Sequence, residues 1–389
     1  MSYACTSVIV SSRATANGRP LMFKNRDTGE LNNRIEYFKG KKFDFIGLVN
    51  SPSEGGEVWT GTNEAGFSIM NTASYNIKDD DVPDSQMDRE GIIMYEALGV
   101  CRTVEDFRKF LEDHEKPLGV ETNFGVIDAE GGAAYFEVNN HKYVMYDVND
   151  PSVAPEGYRV VTNFSESGRY EEYSGWERYL TASDAMKTVP RDAEGKITAD
   201  HNFIFNSFSR SYKHTLLGID YDDENNIPAS GVAVDQDFIP RKMTSAAIVV
   251  EGVKAGENPL HTVMWTVLGY PVCTIAVPLL VGKEDCLPSY VKKAGYSTNS
   301  ELCDFAMNLK NEKIFTYRIS NGSKYFNIAK ANEIKKAVKE MDTQIESQFD
   351  YIYSAWIDGK INDRSFFTAY LNQSDSYCKH YLALFAEND

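Results

Sequence analysis

The stretch Cys5–Asp27, CTSVIVSSRATANGRPLMFKNRD, decides how the rest of the chain reads. Ser7 to Ser11 is apolar and β-branched, Asn17-Gly18 is the pair that two-residue hairpin turns need, and Pro20 to Lys24 returns as a second strand. A cysteine heads the first strand, and the second ends in Lys24-Asn25-Arg26-Asp27, so pairing across the turn brings Asp27 back towards Cys5. This suits a catalyst whose nucleophile is its own first residue. With Met1 to Ala4 removed, the α-amine of Cys5, ordinarily of pKa about 7.7 to 8.0, becomes a base attached to the thiol it must activate. No histidine is then required.

Further strands are expected at Glu57–Thr60, Gly66–Asn71, Phe124–Asp128, Ala133–Asn139, Tyr158–Thr162 and Ser245–Glu251, with a hairpin turn at Asp128–Gly132. Helical spacing of apolar residues marks Asp88–Val100, Val104–His114 behind a Thr103 cap, Arg178–Met186 and His201–Phe208. A long amphipathic pattern follows from Phe326 to Ile357, then a final helix from Asn362-Asp363 to Phe385, whose stripes read as core packing. Blocks of strands and helices without regular βαβ alternation predict α+β with mostly antiparallel sheets. No repeat or low-complexity linker divides the 389 residues, so one large domain spanning 5–389 is expected, with a strand-rich core over 5–282 and a helical part over 283–389, preceded by the short segment 1–4.

Acidic residues exceed basic ones by 17, which disfavours nucleic acid and anionic lipid surfaces as partners. No apolar run is long enough to span a bilayer. The six cysteines lack CxxC spacing and are expected to be buried thiols, and the six histidines never pair at metal-ligand spacing, so neither a metal nor a cofactor is expected. HExxH, GxSxG and P-loop patterns are absent. Asp220, Asp222, Asp223 and Glu224 lack the glycine of a calcium loop and read as a solvated acidic loop. The compartment stays open. The chain as written is expected in the cytoplasm, but Ala4-Cys5 is also what a signal peptidase leaves, and removal of an export signal there would make it periplasmic or secreted.

The Cys-Thr start, the Asn-Gly hairpin and Asn25-Arg26-Asp27 resemble the cysteine-type N-terminal nucleophile (Ntn) hydrolases: choloylglycine (bile salt) hydrolases, penicillin V acylases, acid ceramidase-like amidases and the penicillin acyltransferase group. Later landmarks agree in order: Gly61-Thr62-Asn63-Glu64-Ala65-Gly66-Phe67, Val161-Thr162-Asn163, Ile239-Pro240-Arg241 with Thr244-Ser245, and the strand Trp265–Pro278 containing Gly269-Tyr270-Pro271. The resemblance implies a four-layer αββα sandwich of two mostly antiparallel sheets and hydrolysis of a linear amide in a small molecule. It implies Cys5 as nucleophile and amine base, Asp27 as holder of the amine, Asn163 as oxyanion donor joined by Asn71, and Arg241 beside Cys5. Bile salt hydrolases carry arginine three residues before the aspartate, where this chain has Lys24, which cannot make the same bidentate contact.

Plainer readings stand beside these. Cys5 also reads as a buried strand-end thiol or a lipidated cysteine, Asp27 as a turn residue before Thr28-Gly29, Asn163 as a surface sequon asparagine, and Arg241 as a sheet-edge cation. The run Tyr170, Tyr173, Trp176, Tyr179 reads as core or as a substrate wall. Within the same chemistry, a dipeptidase or an acyltransferase to an amine acceptor fits the motifs. From another class, a non-catalytic binding protein would keep the fold and retain Met1 to Ala4. Homo-oligomerisation is left open.

Overall fold

The computed structural model describes residues 4–78, 82–316, 318–319 and 324–386. Thirteen strands build its two large sheets: β1 (Thr6–Val10), β2 (Leu21–Asp27), β3 (Asn33–Phe38), β4 (Phe45–Asn50), β5 (Thr60–Asn63), β6 (Ser68–Ala73), β7 (Thr122–Ile127), β8 (Ala133–Val138), β9 (Tyr143–Asp147), β10 (Tyr158–Val161), β11 (Thr244–Glu251), β12 (Val263–Leu268) and β13 (Val277–Leu280). One sheet runs β10-β1-β2-β11-β12-β13, the other β3 to β9 in chain order, and every pairing in both is antiparallel.

The sheets face each other. Ser7 on β1 bonds the Tyr135 hydroxyl on β8 at 3.0 Å, and Lys24 on β2 reaches Asn71 on β6 at 2.7 Å. Their approach is close enough that a side chain at Gly125 on β7 would meet Met70, Tyr135 and Ile9. Helices α1 (Glu90–Leu98) and α2 (Val104–Asp113) cover the outer face of the seven-stranded sheet through Phe67, Phe107, Phe124 and Phe136. Helix α4 (His201–Ser207) packs Phe205 on Phe23 of the six-stranded sheet, and α6 (Ile328–Ile357) packs Phe349 on Trp265. Helix α3 (Trp176–Lys187) lies by β10 and β1, while α5 (Glu301–Leu309) and α7 (Asp363–Ala386) complete the helical part. The order of layers is therefore αββα with C-terminal helices, as the resemblance implies.

Several sequence expectations are corrected. The β1–β2 connection is not a two-residue turn but the ten residues from Ser11 to Pro20, widened so that Ala16 N–H can bond the Ala199 carbonyl; Gly18 keeps its left-handed φ of 75°. The strand expected at Glu57–Thr60 runs instead from Thr60 to Asn63, because the Asn63 side chain accepts from Ala65 and Phe67 N–H and so fixes where the turn begins. Trp265–Pro278 is two strands, β12 and β13, separated at Gly269 with φ of 83°. Strands β3, β4 and β9 and helix α5 escape the sequence reading. The acidic loop is not simply solvated: Asp222 is half-buried and pairs with Lys335 at 2.6 Å. The capping box at Thr103 and the Asn362 bond to Ser365 N–H match the expected helix starts.

Candidate active site

Cys5 sits at the head of β1 and is 7% exposed, and the register Thr6 to Asn25 carries the following β2 residues, Arg26 and Asp27, past it. Asp27 ends β2 fully enclosed. A β-bulge between Thr244 and Ala246 in the β2–β11 pairing turns Thr244 onto it. Its Oδ1 accepts from Thr244 Oγ1 at 2.6 Å and Asn25 Nδ2 at 3.0 Å, and its Oδ2 from Arg241 Nε at 2.8 Å. Burial pushes Asp27 above the usual carboxylate range, while Arg241, Arg178 and the Thr244 bond pull it back.

Two guanidinium groups converge on the backbone at Cys5. Arg241 pairs through Nη1 with Asp237 at 2.6 Å, and its Nη2 approaches the Ala4 carbonyl oxygen at 3.5 Å. Asp237 takes a left-handed φ of 48° to make its contact, a conformation aspartate tolerates better than most residues. From the other side, Arg178 Nη1 donates to the Cys5 carbonyl at 2.7 Å and to Thr6 Oγ1 at 3.1 Å, while its Nη2 donates to Asn163 Oδ1 at 3.1 Å. Arg178 is 1% exposed. Gly175, left-handed at φ 77°, starts α3 where any side chain would strike this guanidinium.

Asn163 is wholly buried, which removes the surface-sequon reading. With Oδ1 held by Arg178 and one amide hydrogen on the Ala73 carbonyl at 2.9 Å, its second amide hydrogen remains for another acceptor. Asn71 stands one step away: Lys24 Nζ donates to its Oδ1 and to the Trp59 carbonyl, each at 2.7 Å, and its own amide donates to Thr122 at 3.2 Å. Burial pushes the Lys24 ammonium down to about 8, opposed by the neighbouring Cys5 thiol. The structure thus gathers Cys5, Asp27, Asn163 and Arg241 around one backbone segment, with Asn71 joined through Lys24. The aromatic run stacks with Phe164 beside Asn163: Tyr173 lies 4.5 Å from it, Trp176 stacks on Tyr179 at 5.0 Å, and Tyr170 projects into solvent.

Sequence reasoning misses Arg178, Thr244's bond to Asp27 and Glu90. Nothing around Arg178 signals a site, since it sits inside an ordinary helix pattern. Glu90 opens α1 with its Oε1 accepting from Glu121 N–H at 3.3 Å, and burial pushes it up to about 7 from an ordinary 4.5. A raised carboxylate contributes stability below its unfolded pKa and loses it as pH rises through the folded one. Glu90→Gln, which keeps the acceptor without the charge, is therefore expected to gain on the parent between pH 4.5 and 7, by about 3 kcal/mol at pH 8. Urea titrations at pH 4.5 and 8 check this; an equal difference at both values would remove the burial argument.

Among the described residues no group of His, Cys, Asp or Glu is arranged to hold a metal ion, and no helix is long and apolar enough to cross a membrane. No protein-family model matches the chain, and no curated protein matches it in sequence. Among solved structures it is similar to the N-acylethanolamine-hydrolyzing acid amidase ortholog of Caenorhabditis elegans, with 15% identity and a TM-score of 0.43 over 66% of this chain and 93% of that one. It is also similar to penicillin V acylase from Agrobacterium tumefaciens, with 12% identity and a TM-score of 0.36 over 71% and 86% of the two chains. A mutant of conjugated bile acid hydrolase from Clostridium perfringens shares 13% identity and a TM-score of 0.35 over 68% and 89%. At these identities and scores, the reading of the site rests on the distances above.

Proposed function

We propose that this chain hydrolyses a linear amide through the thiol of Cys5, after the Ala4–Cys5 peptide bond has been broken. The observation that carries the reading is the convergence of buried charge on one backbone segment: Arg178 on the Cys5 carbonyl, and the Asp27–Arg241 pair beside the Ala4 carbonyl. Burying such groups is costly, and ordinary packing at a strand end does not call for them.

Once freed, the Cys5 amine takes the proton from its own sulfur, and the thiolate attacks the substrate carbonyl to form a tetrahedral oxyanion. Asn163, oriented by Arg178, offers its remaining amide hydrogen to that oxygen. Collapse expels the amine, which leaves with the proton, and water cleaves the resulting thioester to release the acid. Asp27, held by Arg241 and Thr244, stabilises the protonated amine. The resemblance of the Cys5–Asp27 segment and the later motifs to Ntn amidohydrolases favours small linear amides as substrates over internal peptide bonds.

While Cys5 remains inside the chain, its nitrogen is an amide and no base. Intact mass of active protein is thus expected to show Cys5 as the first residue, with turnover of N-acyl amino acids or free dipeptides offered side by side. Full turnover by protein that quantitatively retains the Ala4–Cys5 bond would overturn the mechanism.

A further inference from the structure

The segment carrying Arg241 is tied down at nearly every backbone polar group. Asn25 Nδ2 holds the Ile239 carbonyl at 3.0 Å, and the Tyr270 hydroxyl reaches the Pro240 carbonyl at 3.4 Å. Arg241 N–H bonds Thr244 Oγ1 at 3.0 Å, Thr244 N–H bonds the Arg241 carbonyl at 2.8 Å, and Thr28 N–H bonds the Met243 carbonyl at 3.1 Å. Lys242 is held from both sides: its N–H by Asp235 at 3.4 Å, and its carbonyl by the ammonium of Lys310 at 2.9 Å.

Lys310 belongs to the C-terminal helical part, where α5 widens into a π-helical turn over Lys310–Ile314. It is 1% exposed, lies 5.7 Å from the Tyr270 ring centroid, and has no carboxylate in an ion pair with it among the described residues. Burial pushes its ammonium down to about 8. For stability alone, an apolar side chain of that volume would be the better occupant. Among the described residues, the Lys242 carbonyl is the one hydrogen-bond acceptor of the Lys310 ammonium. A π-helical widening is a feature found frequently at functional sites.

We propose that Lys310 is a positioning residue for Arg241: by fixing the Lys242 carbonyl from the helical part, it sets the reach of the Arg241 guanidinium to Asp27 and to the backbone before Cys5. The inference rests on Cys5 being the nucleophile. The charged and titratable groups around Lys310 are Asp235 and Lys242 on the facing loop, Tyr270 and Cys273 after β12, and Cys303 on α5. Those around Arg241 are Asp27, Asp235, Asp237 and Arg178. A slack guanidinium leaves the field of Asp27 less opposed, which raises the pH at which the Cys5 thiol and amine lose their protons.

The test is the pH profile of Cys5 alkylation by iodoacetamide in processed protein, read peptide by peptide by mass spectrometry, with Cys101, Cys286 and Cys378, the buried thiols away from Lys310, as internal references. Arg241→Met is expected to raise the midpoint by about one pH unit, and Lys310→Met by about half a unit or more. In the Arg241→Met background, Lys310→Met is expected to add nothing, because its effect passes through Arg241. Equal shifts in both backgrounds, or a Lys310→Met profile that overlays the parent, would overturn the proposal while leaving the nucleophile in place. Parent protein whose Cys5 reacts no faster than the reference thiols would overturn the nucleophile reading and this one together. If Lys310→Met does not fold, Lys310→Gln takes the ammonium from the Lys242 carbonyl while keeping a polar side chain in its place. It is expected to shift the midpoint upward, and a coincident profile there overturns the proposal.

Discussion

Cys5→Ala is expected to abolish turnover, and Cys5→Ser to lower it by about a thousandfold or more, with the fold intact in both. On the proposed mechanism, alanine removes the sulfur that forms the acyl-enzyme. Serine keeps an oxygen whose proton is held far more tightly than a thiol proton, so the attached amine generates little alkoxide near neutral pH. The side chain is small and packs at a strand end beside polar groups, so the stability cost is expected to be about 1 kcal/mol. Incubation with substrate followed by intact mass should show an acyl adduct on the parent and none on Cys5→Ala. Turnover by Cys5→Ala within tenfold of the parent would place the nucleophile elsewhere.

Arg178→Lys is expected to lower kcat by about a hundredfold and to cost on the order of 3 kcal/mol of stability. The planar guanidinium reaches the Cys5 carbonyl and Thr6 with one nitrogen and Asn163 with another, a span that a single ammonium cannot reproduce. One buried oxygen is left unpaired, and the Asn163 amide loses the contact that fixes which of its ends faces outward. Urea titration gives the folded fraction, and kcat per folded molecule isolates the chemical part. If that quantity equals the parent's, Arg178 holds the framework and does not orient the oxyanion donor.

Where local chemistry specifies an element, the sequence is a good guide. Thr103 followed by acids in the first turn places α2 to within a residue of its observed ends, and Asp128–Gly132 joins β7 to β8 as expected. Where tertiary contacts decide, it is not. Gly47 inside β4 and Gly61 inside β5 weaken the strand signal, yet both glycines are needed because a side chain there would strike Val58 or the Ile46 carbonyl. Edge strand β3 interleaves Asn33, Arg34 and Glu36 with its apolar residues and presents no clean pattern.

By itself the sequence determined the β1–β2 pairing, which follows from strand propensity and the short distance along the chain. That pairing set a cysteine at one strand head and an aspartate at the neighbouring strand end. The order of the later motifs marked Asn163 and Arg241 as partners. Only the tertiary structure decided what surrounds them. Arg178 meets Cys5 across 173 positions, Arg241 meets Asp27 across 214, and Lys310 reaches the loop of Arg241 from a helix 68 residues further on. A propensity or a cap acts over about four residues, whereas a buried guanidinium or ammonium finds its oxygen only when packed sheets and helices have excluded the water that would otherwise solvate both.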